Sequence, residues 1–314
     1  MRIACRTILS LTLVLCWAAT DTGTLRAEDK FRVVVFGDSL SDSGGNPAPS
    51  PPYFEGRWSN GHTYADGLAP RYGLGDTLQP SSIAGGTNYA RAGARVTGAS
   101  GVVEQIASYL RDVQWNADTH TLYVVFIGGN DVRDGLFGAF TDPSFNPAAF
   151  VDGRLAALAV TLNGLSVLGG RNIAVLGLPD LSKLPGLPPQ AAPLATFMTV
   201  RFNAGLAQIV RGLDAGRGHG YLVDVSALFG EILTDAAGGG ARFGITNVTQ
   251  PCLVISNGVV IAQCANPDAY LFWDPIHPTA RVHEILADYV VESVSQARED
   301  EENDEEETNS EQRP

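Results

Sequence analysis

Short apolar runs alternate with longer amphipathic runs along most of this chain. Four runs rich in Val, Ile and Tyr, each bounded by Gly, Asn or Asp, are typical of buried strands: Phe31 to Phe36, Thr121 to Ile127, Asn172 to Leu178 and Tyr221 to Val225. Elsewhere apolar residues recur every three or four positions, which predicts helices over Gly101 to Trp115, Ala148 to Leu168, Leu194 to Leu213 and Pro278 to about Gln296. A weaker strand pattern lies around Asn88 to Ala90.

This alternation of strands and helices predicts an α/β fold with a parallel sheet between two helical layers, because parallel strands need long crossover connections. Hydrophobic residues make up 45% of the 314 residues, which is ample for a large core. There is no internal repeat, so we expect one domain over residues 28–298. The stretch from Gly238 to Asn266 departs from the pattern and is interpreted as an insertion.

The first 27 residues are typical of a secretory signal peptide. Arg2 and Arg6 precede an apolar run from Ile8 to Ala19, which is too short to span a bilayer comfortably. A buried N-terminal helix is one alternative. A lipoprotein site at Cys16 is another, although Leu15 stands where such a site needs a small residue. The predicted location is therefore secreted or periplasmic.

The net charge of −13 is concentrated at the C-terminus. Residues from Glu299 to Pro314 include nine acidic side chains and one arginine, a net of −8, which leaves −5 for the rest of the chain. Such a charged segment buries little apolar surface, so the sequence predicts a disordered tail over 299–314. No basic patch with interleaved aromatic residues is present, which argues against a nucleic-acid partner.

Two of the four cysteines, Cys5 and Cys16, fall within the signal segment. The remaining pair, Cys252 and Cys264, predicts one disulfide in a chain bound for an oxidising compartment. A metal site is the competing interpretation, but the spacing of twelve residues lacks a second Cys or His pair. We therefore predict no metal.

The sequence Gly-Asp-Ser-Leu at positions 37–40 follows the first predicted strand directly. It places the hydroxyl of Ser39 beyond the carboxyl end of a strand, where open α/β sheets bind their ligands. A serine after a strand is more often a helix cap, so the assignment of Ser39 as a nucleophile depends on a base and an oxyanion site elsewhere in the chain.

Asp274 and His277 provide a carboxylate and an imidazole three positions apart. Across one tight turn the carboxylate can reach the near ring nitrogen, which leaves the far nitrogen free to face Ser39. The alternative is that Asp274 is a turn residue and His277 a helix cap. His283, six residues further on, lacks the neighbouring ligands that a metal site would need.

Candidate oxyanion donors follow two other predicted strands. Asn130, in Gly-Gly-Asn-Asp at 128–131, offers a side-chain amide, and Gly93 offers a backbone N–H beside that of Ser39 itself. The chain contains no Gly-x-Ser-x-Gly elbow, no phosphate-binding glycine loop and no His-Glu-x-x-His.

In chain order, the blocks that contain Ser39, Gly93, Asn130 and the pair Asp274 and His277 resemble those of the GDSL, or SGNH, hydrolase family over residues 31–290. The resemblance implies a flavodoxin-like three-layer α/β/α sandwich and ester hydrolysis without a metal or cofactor. It implies that Ser39 is the nucleophile and first oxyanion donor, that Gly93 and Asn130 are the other donors, and that Asp274 and His277 are the acid and base partners.

We therefore expect an exported esterase or lipase that acts on acyl or lipid esters and makes at most transient contact with a lipid surface. A carbohydrate deacetylase with the same site and a non-catalytic binding module are the alternatives. Several aromatic residues near the expected site favour an apolar acyl group, although core packing explains them equally well: Phe54, Trp58, Phe137, Phe140, Phe145 and Trp273. Activity should fall in acid, because a protonated imidazole cannot act as a base.

Overall fold

A central sheet of four parallel strands organises the molecule. A computed structural model describes residues 31–75, 77–216 and 218–311, and side chains as far as residue 303. The strands pair in chain order: β1 (Arg32–Gly37), β2 (Thr121–Phe126), β3 (Asn172–Leu176) and β4 (His219–Val223). All four predicted strands are confirmed, with ends that shift by at most two residues.

A fifth segment lies beside β1 on the edge opposite β2. Asn88 forms a single parallel bridge with Val35, and the N–H of Tyr89 donates to the Val35 carbonyl at 2.8 Å. A second isolated bridge joins Asn88 to Pro80, so the weakly predicted strand is present only as isolated bridges. The chain leaves β1 to one side and later returns on the other side as β2, which creates a topological switch point. In open α/β sheets the crevice at such a point is where ligands bind.

Seven helices within the described residues cover the two faces of the sheet: α1 (Tyr64–Arg71), α2 (Val102–Asp112), α3 (Gly129–Thr141), α4 (Pro147–Val167), α5 (Ala192–Asp214), α6 (Val225–Ala237) and α7 (Ala280–Glu311). Helices α2 to α5 pack together, as do α1, α6 and α7. Every residue of β2 and β3 is buried, as expected for strands between two helical layers. The predicted α/β/α sandwich is thus confirmed.

Three of these helices, α1, α3 and α6, have no counterpart among the predicted helices. Helix α1 is only eight residues long and contains Pro70, and α3 contains Gly135 and Gly138. Both features weaken the local helical signal. A capping box in which Thr63 and Asp66 bond reciprocally stabilises the start of α1.

The sequence predicts that both ends of the chain lie outside the folded domain. Residues 1–27, predicted as a signal peptide, lie outside the described residues. The structure continues α7 as far as Glu311, which differs from the disordered tail predicted from Glu299 onward. Glutamate is a good helix former, and extending an existing helix adds one hydrogen bond per residue without a new nucleation step. This local preference outweighs charge repulsion in the structure.

The predicted insertion forms three short strands, and a fourth, β8, follows it. Strand β5 (Asn247–Pro251) pairs with β8 (Tyr270–Phe272), and β6 (Leu253–Ser256) pairs with β7 (Val259–Gln263) as an antiparallel hairpin. Cys252 and Cys264, the pair for which the sequence predicts a disulfide, are bonded through their sulfur atoms at the base of this hairpin.

Candidate active site

Ser39 lies just beyond the carboxyl end of β1, on a tight turn. The carbonyl of Asp38 accepts hydrogen bonds from the N–H groups of Ser41 and Asp42, so the chain turns away from the sheet at once. Gly37 is needed before the turn, because a Cβ atom there would lie 2.6 Å from the carbonyl oxygen of Phe126. The strand and its turn therefore fix Ser39 at the switch point.

The fold brings Ser39 together with His277 and Asp274, although 238 positions separate the serine from the histidine. Ser39 Oγ lies 2.9 Å from His277 Nε2. His277 Nδ1 in turn lies 2.6 Å from Asp274 Oδ2. The other carboxylate oxygen accepts the backbone N–H groups of Ile276 and His277, at 2.9 and 2.8 Å. These two bonds close the tight turn that lets the carboxylate of Asp274 reach an imidazole three positions later in the chain.

The environment of Asp274 keeps it ionised. Burial by itself would raise the pKa of this carboxyl, but the ion pair and hydrogen bond with His277 and the donors around it hold the pKa below its ordinary value. One of those donors is Tyr53, whose hydroxyl lies 2.7 Å from Asp274 Oδ2. Burial and the adjacent carboxylate raise the pKa of the Tyr53 phenol, so the phenol stays protonated and can donate.

Sequence reasoning missed Tyr53, which carries no motif and lies in a proline-rich loop. Trp58, predicted to lie near the site, has its ring 5.3 Å from the ring of His277 and 5.3 Å from that of Tyr53. The two aromatic residues thus support the imidazole and the carboxylate from one side. Phe145, also predicted to lie near the site, packs instead on Phe150.

Asn130 lies at the first turn of α3, immediately after β2. Its side-chain Nδ2 donates to the carbonyl of Ala94 at 2.9 Å and lies 3.4 Å from Asp38 Oδ2. The neighbouring Gly93 has a φ of +81°, a left-handed conformation that favours glycine. Ala92 N–H donates to Asp42 Oδ2 at 2.7 Å. The segment that carries Gly93 is therefore bonded both to Asn130 and to the turn after Ser39.

Asp38, adjacent to Ser39, is buried, and burial raises its pKa from an ordinary 3.8 to about 6. The Leu40 N–H, which donates to its Oδ1 at 3.0 Å, and the charge of His277 oppose this shift in part. Between these two pKa values the folded chain binds more protons than the unfolded chain. Stability from this group therefore falls as the pH rises from about 4 to 6.

We predict that Asp38→Asn removes this penalty. The free energy of unfolding of the variant, relative to wild type, should increase by about 3 kcal/mol between pH 4 and pH 7.5. Urea unfolding across that range measures the difference. Asp268→Asn, at an exposed carboxylate, is the matched control and should show no such trend. A difference for Asp38→Asn that does not change with pH would contradict the prediction.

An apolar groove of about 350 Å³ opens beside Ser39, Asn130 and His277. One wall comes from α3, through Leu136, Phe137 and Phe140, and the opposite wall from the segment 181–191. Phe137 and Phe140 are 71% and 62% exposed, so they are available to a ligand. A larger depression of about 810 Å³, near Arg71 and Arg242, is lined by none of the predicted site residues.

No cluster of three or more His, Cys, Asp or Glu side chains suited to a metal ion occurs among the described residues. The ring Nδ1 of His283 accepts the backbone N–H of Tyr64 at 3.2 Å within the core. Burial lowers the pKa of His283 to about 3, so this imidazole is neutral. His283 therefore has a structural role as the acceptor for the start of α1.

A model of the GDSL-like lipase/acylhydrolase family matches residues 33–290, most of the chain. The chain belongs to this family. An Arabidopsis thaliana GDSL esterase/lipase is 28% identical over 81% of this chain and 84% of the relative. The phosphatidylcholine-sterol acyltransferase of Aeromonas hydrophila is 24% identical over 82% of this chain and 88% of its own. As a GDSL hydrolase, the protein is an ester-hydrolysing enzyme.

The solved structures that align with this chain are more distant in sequence. An acetylxylan esterase from Geobacillus stearothermophilus aligns with a TM-score of 0.48 at 16% identity, over 84% of this chain and 94% of its own. A phospholipase A1 from Streptomyces albidoflavus aligns with a TM-score of 0.42 at 17% identity, over 83% and 98%.

Proposed function

We propose that this GDSL hydrolase is an exported serine esterase or lipase that cleaves carboxylic esters with apolar acyl chains. The observation that carries the proposal is the continuous hydrogen-bond path from Ser39 Oγ through His277 to Asp274. This path links a nucleophile, a base and an orienting carboxylate in the order that acyl transfer requires.

In the proposed mechanism His277 Nε2 takes the Ser39 proton as Oγ attacks the ester carbonyl carbon. The carbonyl π electrons move to oxygen, and a tetrahedral intermediate forms. Its collapse breaks the bond to the alcohol, which leaves with the proton from His277 and yields an acyl-Ser39 ester. Water, deprotonated by the same imidazole, then attacks the acyl carbonyl, and the acid is released as Ser39 regains its proton.

The oxyanion of the intermediate would be held by the N–H groups of Ser39 and Gly93 and by the side chain of Asn130. Each such donor contributes about 3 kcal/mol to the stability of the transition state. The bonds from Asn130 to Ala94 and from Ala92 to Asp42 support this role, because they hold the three donor segments together before substrate arrives. Asp274, ionised by its surroundings, stabilises the imidazolium that forms.

The groove supports an acyl rather than a sugar substrate. Its walls are formed mainly by Leu, Phe, Val and Ile side chains, and Ser39 and His277 both line it. Such a surface gains free energy from each methylene that it removes from water, about 0.8 kcal/mol. Polar sugar hydroxyls would find few hydrogen-bond partners on these walls.

Export is the remaining part of the proposal. The charge and hydropathy layout of residues 1–27 supports it. The disulfide between Cys252 and Cys264 also supports it, since disulfides persist mainly in oxidising compartments outside the cytosol.

An ester panel tests the substrate class. For p-nitrophenyl esters with two to eight acyl carbons we expect kcat/KM to rise severalfold with each added pair of methylenes, because the groove buries them. The double variant Phe137→Ser, Phe140→Ser should lose about tenfold on the octanoyl ester and little on the acetyl ester. Phe197→Ser, another exposed phenylalanine outside the groove, is the matched control. Exclusive turnover of acetyl esters would overturn the acyl-chain assignment.

A further inference from the structure

The hairpin of β6 and β7 is an exposed aliphatic element whose base packs near Asp274. Residues 247–267 contain no charged side chain, in a chain of which 18% of residues are charged. Asn257 and Gly258 form the turn, with φ values of 51° and 76°. Two positive φ angles in an Asn-Gly pair are the signature of a tight two-residue hairpin turn. The Cys252–Cys264 disulfide closes the opposite end.

The side chains of this hairpin project into solvent from both faces. Val259 and Val260 are 61% and 44% exposed. They are consecutive residues of the ladder, so their side chains point to opposite faces. Val254 and Ile255 on β6 are each 38% exposed and pair with Ala262 and Val260, with an irregularity of the ladder between them. The exposed polar side chains of the ribbon are uncharged and lie near its ends, Ser256 and Asn257 at the turn and Gln263 at the base, so its middle is aliphatic.

The base of the hairpin packs directly on the supports of the proposed catalytic residues. The N–H of Leu253 donates to the carbonyl of Trp273, the residue before Asp274. Cys252 and Leu253 are buried in one cluster with Tyr53, whose hydroxyl bonds Asp274. The base of the hairpin is therefore attached to the segment that carries Asp274 and His277.

We propose that this hairpin inserts into the surface of a neutral phospholipid layer and so brings the enzyme to esters that reside there. The inference rests on the proposed function, because it identifies the lipid layer as the place where the enzyme finds its acyl ester. A partner protein that packs on one face of the ribbon would leave the other in water. An environment that is apolar around the whole ribbon suits two aliphatic faces with no charge to desolvate.

The same chemistry limits the depth of insertion and the choice of lipid. The outer edges of a two-stranded ribbon carry N–H and C=O groups that a hydrocarbon core cannot satisfy, so the hairpin stays at the level of the headgroups and upper acyl chains. The chain carries a net charge of −13, which repels anionic lipid. Binding should therefore favour phosphatidylcholine over phosphatidylglycerol and should not weaken as salt is raised.

Vesicle flotation tests the proposal. The vesicles are made of dialkyl ether-linked phosphatidylcholine, which has no carboxylic ester to hydrolyse, so binding is measured apart from catalysis. We expect Val259→Gln, Val260→Gln to lower the partition coefficient at least tenfold. The control is Val160→Gln, Val167→Gln, which alters two valines of α4 with 75% and 62% exposure and should change it less than twofold. Unchanged kcat/KM on a soluble acetyl ester shows that both variants are folded.

Several results would overturn the inference. Equal flotation of wild type and the hairpin variant is one, and loss of binding only in the α4 variant is another. Binding confined to phosphatidylglycerol vesicles and abolished by salt would show that charge drives association. A wild-type dimer in sedimentation that the hairpin variant dissociates would assign the hairpin to a second copy of the chain. Failure of wild type to hydrolyse soluble esters would count against the proposed function. Flotation on ether lipid tests membrane binding alone, whatever the outcome of the ester assay.

Discussion

Ser39→Ala should lower kcat on a soluble acyl ester by about 10⁶-fold, because the variant has no oxygen nucleophile and retains only the oxyanion donors and the groove. A fluorophosphonate probe should add to wild type at Ser39 and leave the variant unmodified. Steady-state kinetics and mass spectrometry of the labelled peptide measure the two effects. Ser100→Ala, at an exposed serine, is the control and should label and turn over like wild type.

Retention of more than about one per cent of wild-type turnover by Ser39→Ala would contradict the assignment of the nucleophile. So would a probe adduct on another serine of the wild-type chain. Because Ser39 lies on a surface turn at the sheet edge, its loss should leave the thermal midpoint close to that of wild type. A large fall in that midpoint would therefore also conflict with the site as described.

Asp274→Asn is expected to lower kcat by about 10⁴-fold with a smaller change in KM. The carboxylate accepts from His277 Nδ1 at 2.6 Å, which holds the tautomer whose Nε2 can take the Ser39 proton. An amide at this position can present its own N–H groups and favour the other tautomer, and it cannot stabilise an imidazolium by charge. Fluorophosphonate labelling of Ser39 should slow in parallel with kcat, which distinguishes misorientation from loss of substrate binding.

Asp268→Asn is the matched control, since it changes an exposed carboxylate six positions earlier. A loss smaller than about tenfold for Asp274→Asn would show that the carboxylate does not orient the imidazole. Circular dichroism in the near ultraviolet reports on Trp273 and Tyr53, which lie beside Asp274. An unchanged spectrum would show that a kinetic loss is not caused by local unfolding.

The residues around Tyr53 show why part of the site could not be predicted. Ser39 is recognisable because a strand, a glycine and a turn are adjacent in the chain, and Asp274 and His277 are joined by a single turn. Tyr53 bonds Asp274 across 221 positions, and nothing in its local sequence indicates that partner. Residue pairs of this kind are determined by packing between layers of the fold, and the local periodicity of a sequence carries no information about that packing.

The hairpin and the last helix illustrate the same limit. The consecutive apolar residues of β6 and β7 would ordinarily indicate buried strands, yet the structure leaves all of them except Leu253 exposed. The acidic composition after Glu299 predicts disorder, whereas helix propagation from α7 extends to Glu311. The hairpin is exposed because no other element within the described residues covers it, and the tail continues as helix because α7 precedes it and glutamate favours helix.

The sequence by itself determined the four central strands, the longer helices and the identity of the residues able to carry acyl-transfer chemistry. These follow from short-range effects: side-chain periodicity, turn residues and the chemistry of a hydroxyl, an imidazole and a carboxylate. Only the tertiary structure decided that Ser39 and His277 meet at 2.9 Å, that α3 supplies a groove wall, and that an aliphatic hairpin is left uncovered beside them. Those outcomes depend on the order in which strands join the sheet, which places distant segments at one edge.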